Sequence, residues 1–113
     1  MSIYIGYQTA AAKLQEEMEA RSWSGDSSIP KELIDRVVAL RQNLPSGCTL
    51  LGVYNPIGGV ANPATPGVMV VETDDTSHLR FISEHYRGML NYVWVPATSV
   101  ATTANEASQQ LSS

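Results

Sequence analysis

The sequence predicts an α+β fold in which two strand–helix–strand units share one antiparallel sheet. Residues 67–73 are apolar and β-branched, which suits a buried strand. Residues 74–88 begin with Asp-Asp-Thr, whose short side chains accept from free backbone N–H groups at a helix start, and end at Gly88, which tolerates a left-handed conformation. Residues 90–96 are again apolar and predict the returning strand.

The first half of the chain predicts the matching unit. Residues 2–7 predict an edge or first strand, residues 9–20 a helix, and Pro30 the first turn of a second helical segment. Residues 49–55 predict the next strand, and residues 56–66 form a hairpin loop long enough to cover a site. The resulting order, β-α(broken)-β-β-α-β, is the ferredoxin-like arrangement with a four-stranded antiparallel sheet.

Size and charge limit the possible functions. The chain has 113 residues with 43% apolar content and a net charge of −4, which predicts one domain over residues 1–99 and a polar tail over 100–113. The seven Lys and Arg residues form no cluster, so we expect neither nucleic acid nor an anionic membrane as a partner.

Cysteine content and the absence of known motifs narrow the class further. Cys48 is the single cysteine and cannot form an internal disulfide or a thiolate metal site. No basic leader with a long apolar run is present, and no run could span a bilayer, so a cytoplasmic protein is expected. Phosphate-loop and nucleophile-elbow motifs are also absent, and we predict no cofactor and no metal.

Apolar side chains occupy both faces of the predicted strands. Residues 68–71 and 92–95 carry apolar groups at both sets of alternating positions, and Leu50 and Tyr54 alternate with Leu51 and Val53. Helices can cover only one face of such a sheet, and the other would be a large exposed patch. The sequence therefore predicts a homodimer in which two sheets pair.

Several segments resemble the dimeric α/β-barrel superfamily. They are Leu44-Pro45-Ser46-Gly47 before a strand, the Gly-Gly of the hairpin, and the runs 67–76 and 90–98, which together lie within residues 44–99. Within the superfamily they look most like a family of small, mostly uncharacterised bacterial domains. More distant relatives include cofactor-independent polyketide monooxygenases, muconolactone-type isomerases, cyclases, haem-degrading enzymes and binding proteins. The resemblance implies a dimeric barrel with a cavity between the sheet and the helices of each subunit, and it does not imply one chemistry.

Two histidines lie in the apolar stripe of the predicted helix 74–88. His78 and His85 are separated by about 10.5 Å along a helix, too far to ligate one metal directly. We take His85 as a candidate base and His78 as a candidate substrate contact, against the alternative of hydrogen-bonded histidines at the core margin. Glu72 is a candidate substrate contact or a solvated strand end, and Asp74 or Asp75 is expected to cap the helix.

Aromatic and amide side chains on the strands suggest a binding cavity. Tyr4, Tyr54 and Trp94 offer flat rings with a polar group, which suits cavity walls, dimer contacts or ordinary sheet positions. Asn55 could orient a carbonyl group or simply form a turn. Trp23, in the break between the helical segments, is expected to be a core plug or a lid.

The leading hypothesis is a cofactor-independent enzyme acting on an apolar aromatic or polyketide-like metabolite, as a monooxygenase, isomerase or cyclase. Its catalytic residues would be His85, Tyr54 and Asn55, and its substrate contacts Tyr4, Trp23, Glu72, His78 and Trp94. The alternatives are a non-catalytic small-molecule-binding or accessory protein and, third, haem binding through His85.

Overall fold

A computed structural model gives the fold and describes residues 2–23, 25, 29–56 and 62–98. The predicted tail at 100–113 and residues 57–61 of the predicted hairpin loop lie outside these ranges. The elements are β1 (Ile3–Ala10), α1 (Ala12–Trp23), α2 (Lys31–Gln42), β2 (Thr49–Tyr54), β3 (Gly67–Glu72), α3 (Ser77–His85) and β4 (Leu90–Ala97).

The four strands form one antiparallel sheet in the order β2-β3-β1-β4. This confirms the predicted α+β class and the ferredoxin-like order of elements. β1 lies between β3 and β4, so it is a central strand and not an edge. The β4 edge carries Pro96, which cannot donate to a further strand.

Helices α1 and α3 both begin later in the chain than predicted, at Ala12 and Ser77 and not at residues 9 and 74. Thr9 and Ala10 pair with Asn91 and Leu90 of β4, so β1 is longer than predicted and α1 begins only at Ala12. At the start of α3, the Asp75 carboxylate accepts from the Ser77 backbone N–H at 2.9 Å, as a capping group does.

The neighbouring Asp74 has a different partner. Its carboxylate accepts from the backbone N–H of Ser2 at 3.0 Å, and so it ties the start of the chain to the β3–α3 turn. Gly88 has a φ of +87°, the left-handed conformation that glycine tolerates, but α3 already ends at His85 and not at Gly88 as predicted.

Helices α2 and α3 pack on one side of the sheet, which we call the inner face. Met69 and Val71 of β3 point to this face and meet Leu40 of α2 and Ile82 of α3 in a core that is almost free of solvent. Close packing of these side chains fixes α2 and α3 over the sheet. The inner face is therefore the side on which the fold builds its interior.

The opposite side, the open face, is also apolar. Two rows cross all four strands: Tyr54, Val68, Tyr7 and Val93 form one, and Gly52, Val70, Ile5 and Val95 form the other. Val93 is 66% exposed, and no helix of the described part of the chain covers it. Apolar residues on both faces, predicted from the alternation, are confirmed.

One strand does not follow the predicted alternation. The register of β2 on β3 shifts between Leu50 and Gly52, as at a β-bulge. Leu50 and Val53 therefore pack against the core, while Tyr54 lies on the open face. The prediction that Leu50 and Tyr54 share a face was wrong.

Candidate functional site

A chain of three polar side chains lies on the inner face where β1 and β2 end. Gln8 is only 3% exposed. Its Nε2 donates to Asn55 Oδ1 at 2.6 Å, and its Oε1 accepts from the Tyr92 hydroxyl at 2.8 Å. Both ends of the buried amide are thus hydrogen-bonded, as a buried polar group requires. Asn55 is exposed, so this polar network begins in the interior and ends at the surface.

Two glycines make room for this arrangement. A Cβ at Gly67, the first residue of β3, would overlap both Asn55 Oδ1 and Gln8 Nε2. A Cβ at Gly6 would lie 2.6 Å from the indole ring of Trp94, which therefore covers the bare backbone of β1. The absence of these two side chains lets the Gln8 amide and the Trp94 ring lie directly on the sheet.

Aromatic rings flank the network along β4. Tyr92 and Trp94 stack with centroids 5.3 Å apart and planes 11° apart, and the Trp94 Nε1–H donates to Ser83 Oγ at 2.9 Å. Burial, and secondarily the neighbouring Tyr86, raises the pKa of Tyr92 above its ordinary value, so its hydroxyl keeps its proton at neutral pH. Both stacked rings are half-buried, which offers an aromatic wall beside a hydrogen-bonding group.

His85 lies where α3 meets α2. Its Nε2 is 2.6 Å from the backbone carbonyl oxygen of Arg36. A carbonyl only accepts, so Nε2 carries a proton in this hydrogen bond, and Nδ1 is the ring nitrogen left to act as a base. The Arg36 guanidinium donates in return to the carbonyls of His85 and Arg87 at 3.4 and 2.9 Å. His85 therefore helps to hold two helices together.

A sequence of ring contacts links His85 to the polar network. The His85 ring meets Tyr86 edge-on at 4.9 Å between centroids, and Tyr86 lies 5.9 Å from Tyr92. His85, Asn55 and Trp94 are thus on the same side of the sheet. Of the three, only Trp94 contacts Tyr92 directly. Asn55 is joined to Tyr92 through Gln8, and His85 is joined to it through the ring of Tyr86.

His78 is elsewhere. Its Nδ1 is 2.7 Å from the hydroxyl of Thr73, a fully buried residue at the far end of β3, and its Nε2 is 3.6 Å from an Asp75 carboxylate oxygen. The length of β3, about 20 Å at 3.3 Å per residue, separates this position from the polar network at Gly67. His78 forms part of the β3–α3 turn.

The remaining predicted residues are dispersed. Tyr54 and Glu72 lie on the open face, where Tyr54 is 66% exposed, so within one chain neither can share a ligand with His85. Tyr4 packs against the core on the inner face. Trp23 ends α1 and is 91% exposed, so it is not a core plug.

Gln8 belongs to the site although sequence analysis did not select it. The strand pattern contained a usable indication, because Gln8 alternates with Tyr4 and Gly6 and so must point to the same face. Glutamine at such a position needs buried partners, and Tyr92 and Asn55 supply them.

A separate cleft of about 140 Å³ lies between α1, α2 and the turn after α3. Its lining residues are Lys13, Leu14, Glu17, Glu32, Arg36, Gly88 and Met89. The Arg36 and Glu32 side chains in its wall pair with each other at 3.2 Å. The acidic and basic groups balance, and the cleft does not reach the polar network.

The described residues contain neither a cluster of metal-ligating side chains nor a helix that could span a membrane, and the chain matches no known protein family or structure. Across the described ranges, no three His, Cys, Asp or Glu side chains are grouped so as to hold a metal ion. Within the same ranges, no helix has the length and apolar character to cross a membrane. No protein-family model matches the chain, and no curated protein or solved structure matches it. The likeness to dimeric α/β-barrel proteins stays a prediction.

Proposed function

We propose that this protein binds a flat, mostly apolar small molecule beside the Asn55–Gln8–Tyr92 network. The observation that supports this most is the buried amide of Gln8, held between a neutral phenol and an exposed carboxamide. A ligand ring would stack at Tyr92 and Trp94, and one polar group of the ligand would bond to Asn55. We therefore place non-catalytic small-molecule binding ahead of the cofactor-independent enzyme that the sequence favoured.

Side-chain resonances in a ¹⁵N-labelled sample test the binding. In a Trp23→Phe background, Trp94 gives the single indole N–H signal, since the chain has two tryptophans. We expect 2-naphthol, a flat ring with one hydroxyl, to shift the Trp94 indole and Gln8 amide signals in a saturable way. Asn55→Ala should weaken that binding about 5- to 10-fold, the value of roughly one hydrogen bond.

A matched variant on the other side of the sheet controls this experiment. Tyr54→Phe removes a hydroxyl from the open face and should leave the affinity for 2-naphthol unchanged. Signals that do not saturate, or shifts confined to open-face residues, would contradict binding at the network.

The second part of the proposal is a homodimer formed through the open face. The open face as a whole spans four strands spaced about 4.8 Å apart and about six residues along each strand, a flat area on the order of 400 Å², and the two apolar rows lie within it. Side-chain relief raises the accessible area toward the roughly 800 Å² per partner of a standard interface. Among the described residues of this face Glu72 is the charged one, so a second copy meets little opposing charge.

Sedimentation velocity tests the dimer against the 12.2 kDa mass of one chain. We expect twice that mass for the wild type and a monomer for Val93→Lys, because the two-fold axis would introduce the charge twice. Ile34→Lys changes a similarly exposed apolar residue on α2 and should leave the dimer intact. A monomeric wild type, or equal dissociation by both variants, would remove this part of the proposal.

Cofactor-independent catalysis at His85 is the second candidate function. It is favoured by the ring contacts that connect His85 through Tyr86 to Tyr92, with Nδ1 as the basic nitrogen. Anthrone has an acidic C–H, and its oxidation by O₂ gives anthraquinone and water. Oxygen uptake that His85→Ala abolishes and His78→Ala preserves would support catalysis, and no acceleration by the wild type would oppose it.

The proposal leaves out haem binding and includes a cytoplasmic location. Haem ligation by Nε2 of His85 would break its bond to the Arg36 carbonyl, so haem is not included. A cytoplasmic location suits the buried free thiol of Cys48, which a reducing compartment would keep in that form.

A further inference from the structure

We infer that the site selects ligands carrying a carbonyl-type hydrogen-bond acceptor, and that Gln8 sets this preference by fixing which group Asn55 presents. The inference rests on the proposed small-molecule site and adds the chemical class of its ligand. It follows from the direction of the hydrogen bonds, which can be traced from Tyr92 outward.

The direction begins at Tyr92. Its hydroxyl stays neutral because burial opposes ionisation, and it donates to Gln8 Oε1 at 2.8 Å. This uses the acceptor end of the Gln8 amide. The amide group Nε2 of Gln8 then points away from Tyr92 and toward Asn55.

The hydrogen bond between Gln8 and Asn55 determines whether Asn55 presents a donor or an acceptor at the surface. Gln8 Nε2 donates to Asn55 Oδ1 at 2.6 Å, so the acceptor of Asn55 is turned inward. The other half of the Asn55 carboxamide, its Nδ2 group, has no hydrogen-bond partner among the described residues. An arriving molecule therefore meets two N–H donors at the exposed end of the network.

Ligand chemistry follows from that donor. An aromatic ketone or similar planar carbonyl can stack its ring and accept from Asn55, whereas a hydrocarbon of the same shape can only stack. The net charge of −4 makes a neutral carbonyl more suitable than a carboxylate. The expected ligand class is thus a flat, neutral carbonyl compound.

The test compares acetophenone with ethylbenzene, which share a ring and differ by a carbonyl in place of a methylene. In the ¹⁵N-labelled full chain with Trp23→Phe, acetophenone should bind about 5- to 10-fold more tightly, as expected for one hydrogen bond. Asn55→Asp can still accept from Gln8 but presents no N–H, so the preference should disappear while ethylbenzene binding is retained.

The Gln8→Glu variant should reverse the preference between acceptor and donor ligands. A carboxylate at position 8 accepts from both neighbours, so Asn55 must turn its N–H group inward and present its oxygen. The preference should then shift from acetophenone toward phenol, a donor. Since the charge would be buried, an unfolded Gln8→Glu leaves Asn55→Asp as the deciding variant.

The outcomes separate the two proposals. Equal affinity of the wild type for acetophenone and ethylbenzene, or an acetophenone preference that survives Asn55→Asp, overturns the acceptor inference and leaves the binding site in place. If neither probe binds, both proposals fail.

Discussion

The two faces of the sheet contain similar side chains but have different surroundings. On the inner face α2 and α3 cover Met69 and Val71. On the open face, none of α1, α2 and α3 lies above Val68, Val70 and Val93 within the described residues. The inner face also holds the exceptions to the apolar pattern. These are the buried Gln8 and two glycines, Gly67 beneath Gln8 and Gly6 beneath Trp94. The open face is apolar and regular across two full rows.

This difference separates two physical roles. A regular apolar surface suits association with another regular surface, since it offers area without directional groups. An irregular interior with a buried amide offers direction, because hydrogen bonds demand a particular partner at a particular place. We therefore assign association to the open face and ligand recognition to the inner face.

The largest expected effect is on the free energy of unfolding when the inner face is truncated. Ile82→Ala removes a side chain with no solvent exposure and should cost about 2–5 kcal/mol through lost burial and a cavity. Val93→Ala, on the open face, should cost less than about 1 kcal/mol in the monomer. Urea unfolding at concentrations low enough to keep the chain monomeric measures both. Equal costs would mean that the two faces are equally buried within one chain.

Much of the fold was predictable because its strands are unusually apolar and its turns contain Gly88 and the Asp pair. The order of elements along the chain and the two apolar faces followed from those patterns, whereas the central place of β1 in the sheet did not. The error at Tyr54 came from the shift between Leu50 and Gly52, because an extra residue changes which side chains face the core without leaving a mark in the alternation.

The site was predictable in part. Asn55 and Trp94 were selected by residue type, but their link is Gln8, whose role depends on a partner 47 residues away. Gly6 and Gly67 are also uninformative as single residues, since their function is to leave space for side chains from other strands. Such long-range contacts cannot be derived from the local sequence.

An intermediate loss in the free energy of unfolding should follow when a methyl group fills the space over a strand glycine. Gly6→Ala places a methyl group against the Trp94 ring, which is held by Ser83, and should cost about 1–3 kcal/mol through overpacking. Gly52→Ala also meets a ring, that of Tyr54, but this side chain is exposed and can move aside, so its cost should be smaller. Thermal unfolding of the two variants makes the comparison. Equal losses would show that Trp94 moves as readily as Tyr54.

The smallest expected effect concerns the Tyr92 hydroxyl and alkaline pH. Tyr92→Phe removes the bond to Gln8 and should cost about 1 kcal/mol at neutral pH. Burial raises the pKa of Tyr92 above the ordinary value of about 10, so the unfolded chain loses this proton first as the pH rises. The stability that the neutral phenol contributes is therefore complete below about pH 10 and is lost as the pH rises beyond it. Tyr92→Phe should flatten that alkaline decline. An unchanged slope in Tyr92→Phe would contradict the raised pKa of Tyr92, because the phenol would then ionise as easily in the fold as in the unfolded chain.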